Sequence, residues 1–345
     1  MQEVLSVIEK VAPDTLQVLR IRQGILDSVR QNGPIGRRML AEKIGMTERV
    51  LRTEVKILRE QHLIETTKAG MKITQAGEEI FDQLTALLSH MQGNKEKERQ
   101  LADYLSIDNC WIVPGNSKDD NQTCLELGKA VNELLNRLLP LKENIIAVMG
   151  GTTMLNVASQ LTPQLGLNRE LLFVPARGGL GERFDIQANA ISSAMAENTG
   201  GKNRVLYAPE HVSPETYPLL LKEPEIKATL EYVKKANCVL FSIGEALQMA
   251  KRRAMDSEQF ALLKNKKAVG EAFGEFVNKE GEIVYKIPRI GLQSKDLEAI
   301  PYVIAVAGGQ HKAEAIEAYI KTAPRHLWLV TDEGAANQIL KGVTL

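Results

Sequence analysis

Six short apolar runs punctuate the chain from about residue 105 onward: NIIAVMG, LLFVPAR, RVLYAPE, CVLFSIG, YVIAVAG and LWLVTD. Segments with helical spacing separate them. A strand with one wet face alternates apolar and polar residues, whereas these runs are almost continuously apolar, so both faces must be covered. Strands buried on both faces and joined through helices form a parallel sheet with helices on either side. Residues 105–345 are therefore expected to be a Rossmann-like α/β domain. Four of the runs lead into glycine-containing turns, GGTT, RGGLGE, GE and GGQHK.

Residues 1–91 follow a different pattern, with helices and one short hairpin, and the polar stretch QGNKEKERQ begins a linker or hinge helix expected over 92–104. Within the first part, GRRMLAEKIGMTERVLRTEVKILREQ has the layout of a helix-turn-helix. A short helix ends at Gly45, where a positive φ is easily adopted, and the Thr47 hydroxyl can cap the helix that follows. At about 100° per residue, Arg49, Arg52, Lys56 and Arg59 share one narrow sector, with Val50, Leu51, Val55, Ile57 and Leu58 on the core side. LIETTKAGMKIT then suits the β-hairpin of a winged helix, with Lys68 and Lys72 near its tip.

The chain as a whole has no positive field, because 43 basic residues balance 43 acidic ones. Any affinity for a polyanion must therefore be local. Between Arg30 and Arg59 eight basic residues face three acidic ones. Base reading is expected from Thr47, Glu48, Arg49, Arg52 and Thr53 at the start of the second helix, and phosphate contacts from Arg37, Arg38, Lys56 and Lys68.

The glycine loops lack the lysine and Ser/Thr of a Walker motif, and ARGGLGE is followed by Glu182-Arg183-Phe184 where a dinucleotide fingerprint needs its third glycine. Anion capture remains, since ligands of parallel sheets sit beyond the carboxyl ends of the strands, against helix N-termini. Gly150, Gly151, Thr152 and Thr153 follow one strand, Arg177 and its glycines another, and Lys312 a third. Arg177 suits a phosphate bidentately. Gln187, Glu271, and Arg252 or Arg253 could meet sugar hydroxyls or a second phosphate. The dispersed histidines include only His311 near this edge. Cys110, Cys124 and Cys238 have no metal-ligand or disulfide spacing, so neither a zinc site nor a disulfide framework is expected; no other metal and no cofactor are expected either. No stretch has the apolar length of a membrane helix, the N-terminus lacks signal-peptide features, and a cytoplasmic protein is expected.

Taken with GPIGRRMLAEKIGMTERVLRTEV, NRELLFVPARGGLGE, QAN, EAFG, IPYVIAVAGG, KAEAIEAY and VTDEGAA, the sequence resembles bacterial transcriptional regulators of the SorC/DeoR type over essentially its full length, and among them those that govern central glycolytic genes. The resemblance implies a winged helix-turn-helix repressor whose effector domain is related to sugar-phosphate isomerases and deaminases. It implies fructose 1,6-bisphosphate as inducer, double-stranded operator DNA as partner, and a homo-oligomer, a dimer that becomes a tetramer on DNA. The ligand residues it implies are Thr152, Thr153, Arg177, Gly179, Gly181, Gln187, Arg252, Glu271 and Lys312. Two other readings stay open: an isomerase- or deaminase-like enzyme with an added DNA-binding domain, for which Glu271 and Glu182 could be cast, and a partner-binding adaptor.

Overall fold

The computed structural model describes residues 11–179, 183–209, 212 and 215–341, without the side chains of residues 13, 16 and 85–94. The chain divides into two compact units, Met1–Glu96 and Lys97–Leu345, and the boundary falls inside one helix, Gln75–Leu105. Residues 92–104, expected as a linker or hinge helix, are helical, and Leu101 and Ala102, with Leu105 just after them, are buried in the core of the second unit.

In the first unit, helices α1 (Pro13–Asn32), α2 (Arg37–Lys43) and α3 (Glu48–Glu60) precede an antiparallel hairpin, β1 (Ile64–Thr67) and β2 (Gly70–Ile73), and then α4 (Gln75–Leu105). The turn between α2 and α3 forms as the sequence requires: Gly45 takes φ 65°, and the Thr47 hydroxyl accepts the Val50 N–H. The core joins Ile25, Leu26 and Val29 of α1 to Leu40, Leu51, Val55, Leu58, Ile64 and Met71. Ile35 exchanges two backbone hydrogen bonds with Met71, extending the hairpin by one bridge. An ion pair of 2.8 Å from Arg22 to Glu54 ties α1 to α3. One expectation fails: Val50, assigned to the core side, is 48% exposed, because α3 packs through Leu51, Val55 and Leu58 alone.

The second unit is built on a seven-stranded sheet in the order β3-β13-β12-β7-β4-β5-β6, every pairing parallel. The strands are β3 (Asn109–Val113), β4 (Glu143–Val148), β5 (Glu170–Pro175), β6 (Lys202–Asn203), β7 (Cys238–Phe241), β12 (Tyr302–Val306) and β13 (Trp328–Asp332). Helices α5 (Asn121–Leu138), α6 (Thr152–Gln160), α7 (Ala188–Thr199), α8 (Tyr217–Leu220), α9 (Pro224–Lys234), α10 (Ala246–Arg252), α11 (Ser257–Asn265), α12 (Ala313–Ile320) and α13 (Glu333–Ile339) supply its crossovers and cover. Two separate buried clusters lie against the sheet, one containing Val239, Phe241, Ala305 and Tyr319, the other Ile146, Leu240, Ile304 and Leu134. Alternate residues of β7 and β12 thus go to opposite clusters, which is the two-sided burial that the apolar runs demand.

Two departures from the sequence reading stand out. RVLYAPE is not a strand, for β6 stops at Asn203. The Asn189 side chain donates to the Leu206 carbonyl and accepts its N–H, occupying both groups that a neighbouring strand would use. In place of that run, Asn109–Val113 forms the edge strand beside β13. Between β7 and β12 the chain also builds a small antiparallel sheet in the order β11-β10-β9-β8, from β8 (Gly244–Glu245), β9 (Ala268–Ala272), β10 (Glu275–Asn278) and β11 (Ile283–Lys286). The glycine turn GE is therefore an edge of that sheet.

Candidate functional site

From β4 the chain moves outward through β5 and β6, then returns to the other side of β4 with β7 and continues to β12 and β13. The strand order reverses between β4 and β7, and a crevice opens there at the carboxyl ends because the connections leave in opposite directions. A cavity of about 260 Å³ occupies this point. Its walls come from Gly150–Thr153 after β4, Ser242–Gly244 after β7, and Gly308, His311 and Lys312 after β12, closed by Arg252 of α10 and Glu271 of β9. Five of the nine expected ligand residues, Thr152, Thr153, Arg252, Glu271 and Lys312, line it.

The first N–H groups of α6, at Thr152 and Thr153, have no acceptor within the helix, and the positive end of its dipole faces the cavity wall. Opposite in charge to any anion held there, the side chains of Lys312 and Arg252 make no hydrogen bond or ion pair with a described residue. Loss of solvation holds the Lys312 amine below the ordinary lysine value, and the Arg252 guanidinium lowers it further, against the opposing pull of Glu245. Burial likewise lowers the His311 imidazole, whose Nε2 lies 3.9 Å from Glu245. Of the two candidate arginines only Arg252 reaches the cavity, because Arg253 is folded into a buried ion pair, 2.9 Å, with Glu271. Glu271 also accepts the Gly274 N–H at 2.7 Å.

Arg177, Gly179 and Gln187 lie on the β5 side and do not line the cavity. Arg177 is 5% exposed, and its guanidinium packs beneath Gly150. A Cβ at Gly150 would stand 2.5 Å from Arg177 Nη2 and 2.6 Å from the Ile186 carbonyl. Gly150→Ala is thus expected to cost roughly 1–3 kcal/mol of stability, as an overpacked site does, measurable by urea unfolding. Gly179 lies near the Gln187 carboxamide, 3.8 Å from where its Cβ would be. Gly181 falls outside the described residues.

Asp332, at the end of β13, escaped residue-by-residue reading, although VTDEGAA contains it. Fully buried, it accepts three backbone N–H groups: Gly309 at 2.7 Å, Ser117 at 2.8 Å and Ala335 at 2.8 Å. One carboxylate thus clamps two of the cavity's loops to the start of α13. The sequence signal available for it was an aspartate ending an apolar strand and opening a helix, the capping position. No group of three His, Cys, Asp or Glu suited to a metal ion occurs among the described residues.

In the first unit Arg37, Arg38, Thr47, Glu48, Arg49, Arg52, Thr53, Lys56 and Lys68 are all exposed, with Lys68 in the hairpin turn. Arg37, Arg38, Arg49 and Arg52 pair with no described acid, whereas Lys56 stands 3.8 Å from Glu60. A helix with one buried stripe and unpaired cations opposite is the arrangement a duplex groove accepts.

Residues 18–88 match the family described as "CggR N-terminal DNA binding domain", and residues 89–341 the one described as "Putative sugar-binding domain". The central glycolytic genes regulator of Bacillus subtilis is 42% identical over 341 residues, 99% of each chain. The chain belongs to the central glycolytic genes regulators, within the SorC family. The regulator of the same name from Priestia megaterium is 40% identical, also over 99% of each chain. Among solved structures, "the putative SorC family transcriptional regulator from Enterococcus faecalis" is 51% identical, with a TM-score of 0.68 over 71% of this chain and 99% of that one. The full-length sorbitol operon regulator of Klebsiella pneumoniae, 16% identical, shares the fold with a TM-score of 0.63 over 93% of this chain and 98% of its own. As a member of this family the chain combines a DNA-binding domain with a sugar-binding domain. No described helix is long and apolar enough to cross a membrane.

Proposed function

We propose that this chain is a cytoplasmic repressor of glycolytic genes that releases or rearranges on its operator when fructose 1,6-bisphosphate fills the cavity. The observation that carries the reading is the pair of uncompensated cations, Lys312 and Arg252, set against the N-terminus of α6 at the sheet's switch point. Such a site gains most from a ligand bearing phosphate, and its threonine and Ser117 hydroxyls suit a polyol. Arg177 and Gln187, on the β5 side, are the side chains that a second phosphate would address, whereas the Gly179 N–H is already taken by the Ala208 carbonyl.

The reading takes the site as a sensor. Glu271, the carboxylate best placed for acid–base work, is engaged by Arg253 and the Gly274 N–H, which favours a positioning role. Ligand and DNA must prefer different arrangements of a homo-oligomer, so each weakens the other. Fluorescence anisotropy of a labelled operator, titrated with fructose 1,6-bisphosphate, tests the proposal; unchanged affinity and cooperativity at saturating ligand would refute it. Arg52→Ala is expected to weaken operator binding by about 1–3 kcal/mol while leaving the thermal shift with the sugar phosphate intact.

A further inference from the structure

Val50 stands in the first turn of α3, three residues after the capping Thr47. Its helix buries Leu51, Val55 and Leu58, and Val50 turns away from that stripe. On a helical wheel it lies about 60° from Thr53 and about 100° from Arg49, so the three form one continuous arc of the solvent face. Its neighbours on that arc, Arg49 and Thr53, are exposed, and Arg49 pairs with no described acid, while Glu48 and Arg52 stand about 160° from Val50 on the far flank of the solvent face. The described part of the unit thus offers a small apolar spot beside Arg49, at the edge of the basic face and at the end of a helix that a major groove would receive first. A base pair presents one apolar group in that groove, the 5-methyl of thymine, and an apolar side chain without hydrogen-bonding capacity matches it alone.

We infer that Val50 reads a thymine methyl in each operator half-site and so contributes sequence specificity that the arginines of the same helix, which suit guanines and phosphates, do not supply. The inference rests on the DNA-binding reading above. The basic stripe of the helix brings the duplex to its N-terminal end, and contact of Val50 with the methyl would remove about one CH₂-sized apolar surface from water. That burial corresponds to roughly fourfold in affinity per half-site.

The test begins with the full-length protein selecting a duplex from a randomised pool. Each thymine of the selected duplex is then replaced singly by deoxyuridine, which removes only the methyl. The wild-type protein is expected to lose about fourfold at one position per half-site, and Val50→Ala to lose affinity for the thymine duplex while becoming indifferent to that replacement. Val50→Ile, which keeps the apolar contact, is expected to restore the dependence. Because Val50 is half exposed, melting temperatures of both variants are expected to match the wild type, which removes misfolding as an explanation. If no position responds to methyl removal, or if Val50→Ala keeps the same response, the inference is overturned. Failure of the wild-type protein to select any duplex would instead overturn the DNA-binding reading, and this inference with it.

Discussion

Lys312→Met is expected to stabilise the effector-free protein slightly and to remove most of its stabilisation by fructose 1,6-bisphosphate. The amine of Lys312 sits in the cavity wall with no described partner, beside the like charge of Arg252. Methionine preserves the length of the stem and removes the poorly solvated charge, so the empty site gains. With phosphate present the sign reverses. A charge-assisted hydrogen bond contributes about 1.5–3 kcal/mol, so its loss lowers ligand affinity roughly ten- to a hundredfold. At a hundred times the wild-type Kd, the ligand stabilises the native protein by about 2.7 kcal/mol; a hundredfold weaker site leaves about 0.4 kcal/mol. Thermal melting with and without ligand measures both effects, and a full ligand shift in the variant would remove Lys312 from the site. The pH dependence follows from the same charge. With its folded value lowered, the unfolded chain binds the proton more tightly. Effector-free stability therefore rises with pH between the lowered value and the ordinary lysine value, a slope the variant loses.

Asp332→Ala is expected to have the largest effect on folding. It strands three backbone N–H groups in a fully buried position and releases the loops at Ser117 and Gly309 from the start of α13. Unsatisfied buried donors cost about 1–3 kcal/mol each, and partial relaxation brings the total to roughly 3–5 kcal/mol. Asp332→Asn keeps the shape but has one acceptor oxygen and turns an NH₂ group towards a donor, so an intermediate loss is expected. The chain's two tryptophans, Trp111 on β3 and Trp328 on β13, lie on neighbouring strands of this sheet, so intrinsic fluorescence during urea unfolding reports this unit alone. A shift in midpoint below about 1 kcal/mol for Asp332→Ala would mean that the three bonds are replaced by solvent. Ligand affinity is expected to fall as well, since Lys312 and Ser117 lose their common anchor.

Local patterns in the chain were enough for the elements whose stability is local. Continuous apolar runs required two-sided burial, and five of the six are strands of the parallel sheet. Gly45 and Thr47 required a turn and a cap, and both behave as their chemistry dictates. The sixth run, RVLYAPE, shows the limit, because the backbone groups of Leu206 at its centre are taken by the side chain of Asn189, which sequence periodicity cannot see. The small antiparallel sheet was equally hidden, for β9 and β10 pair across a tight turn in a stretch whose residues had suggested only ligand contacts.

By itself the sequence determined the two kinds of unit, the basic helix face and the glycine turns at the strand ends, since each depends on neighbours within a few residues. Only the tertiary structure decided which turns meet. Strand order places the loops after β4, β7 and β12 at one crevice and leaves Arg177 beneath Gly150 on its flank. It also separated Arg252 from Arg253, sending one to the cavity and the other to Glu271, and turned Val50 outward. Those outcomes follow from long-range packing, where adjacent residues on one helix can face different surroundings and residues nearly two hundred positions apart can share a single cavity.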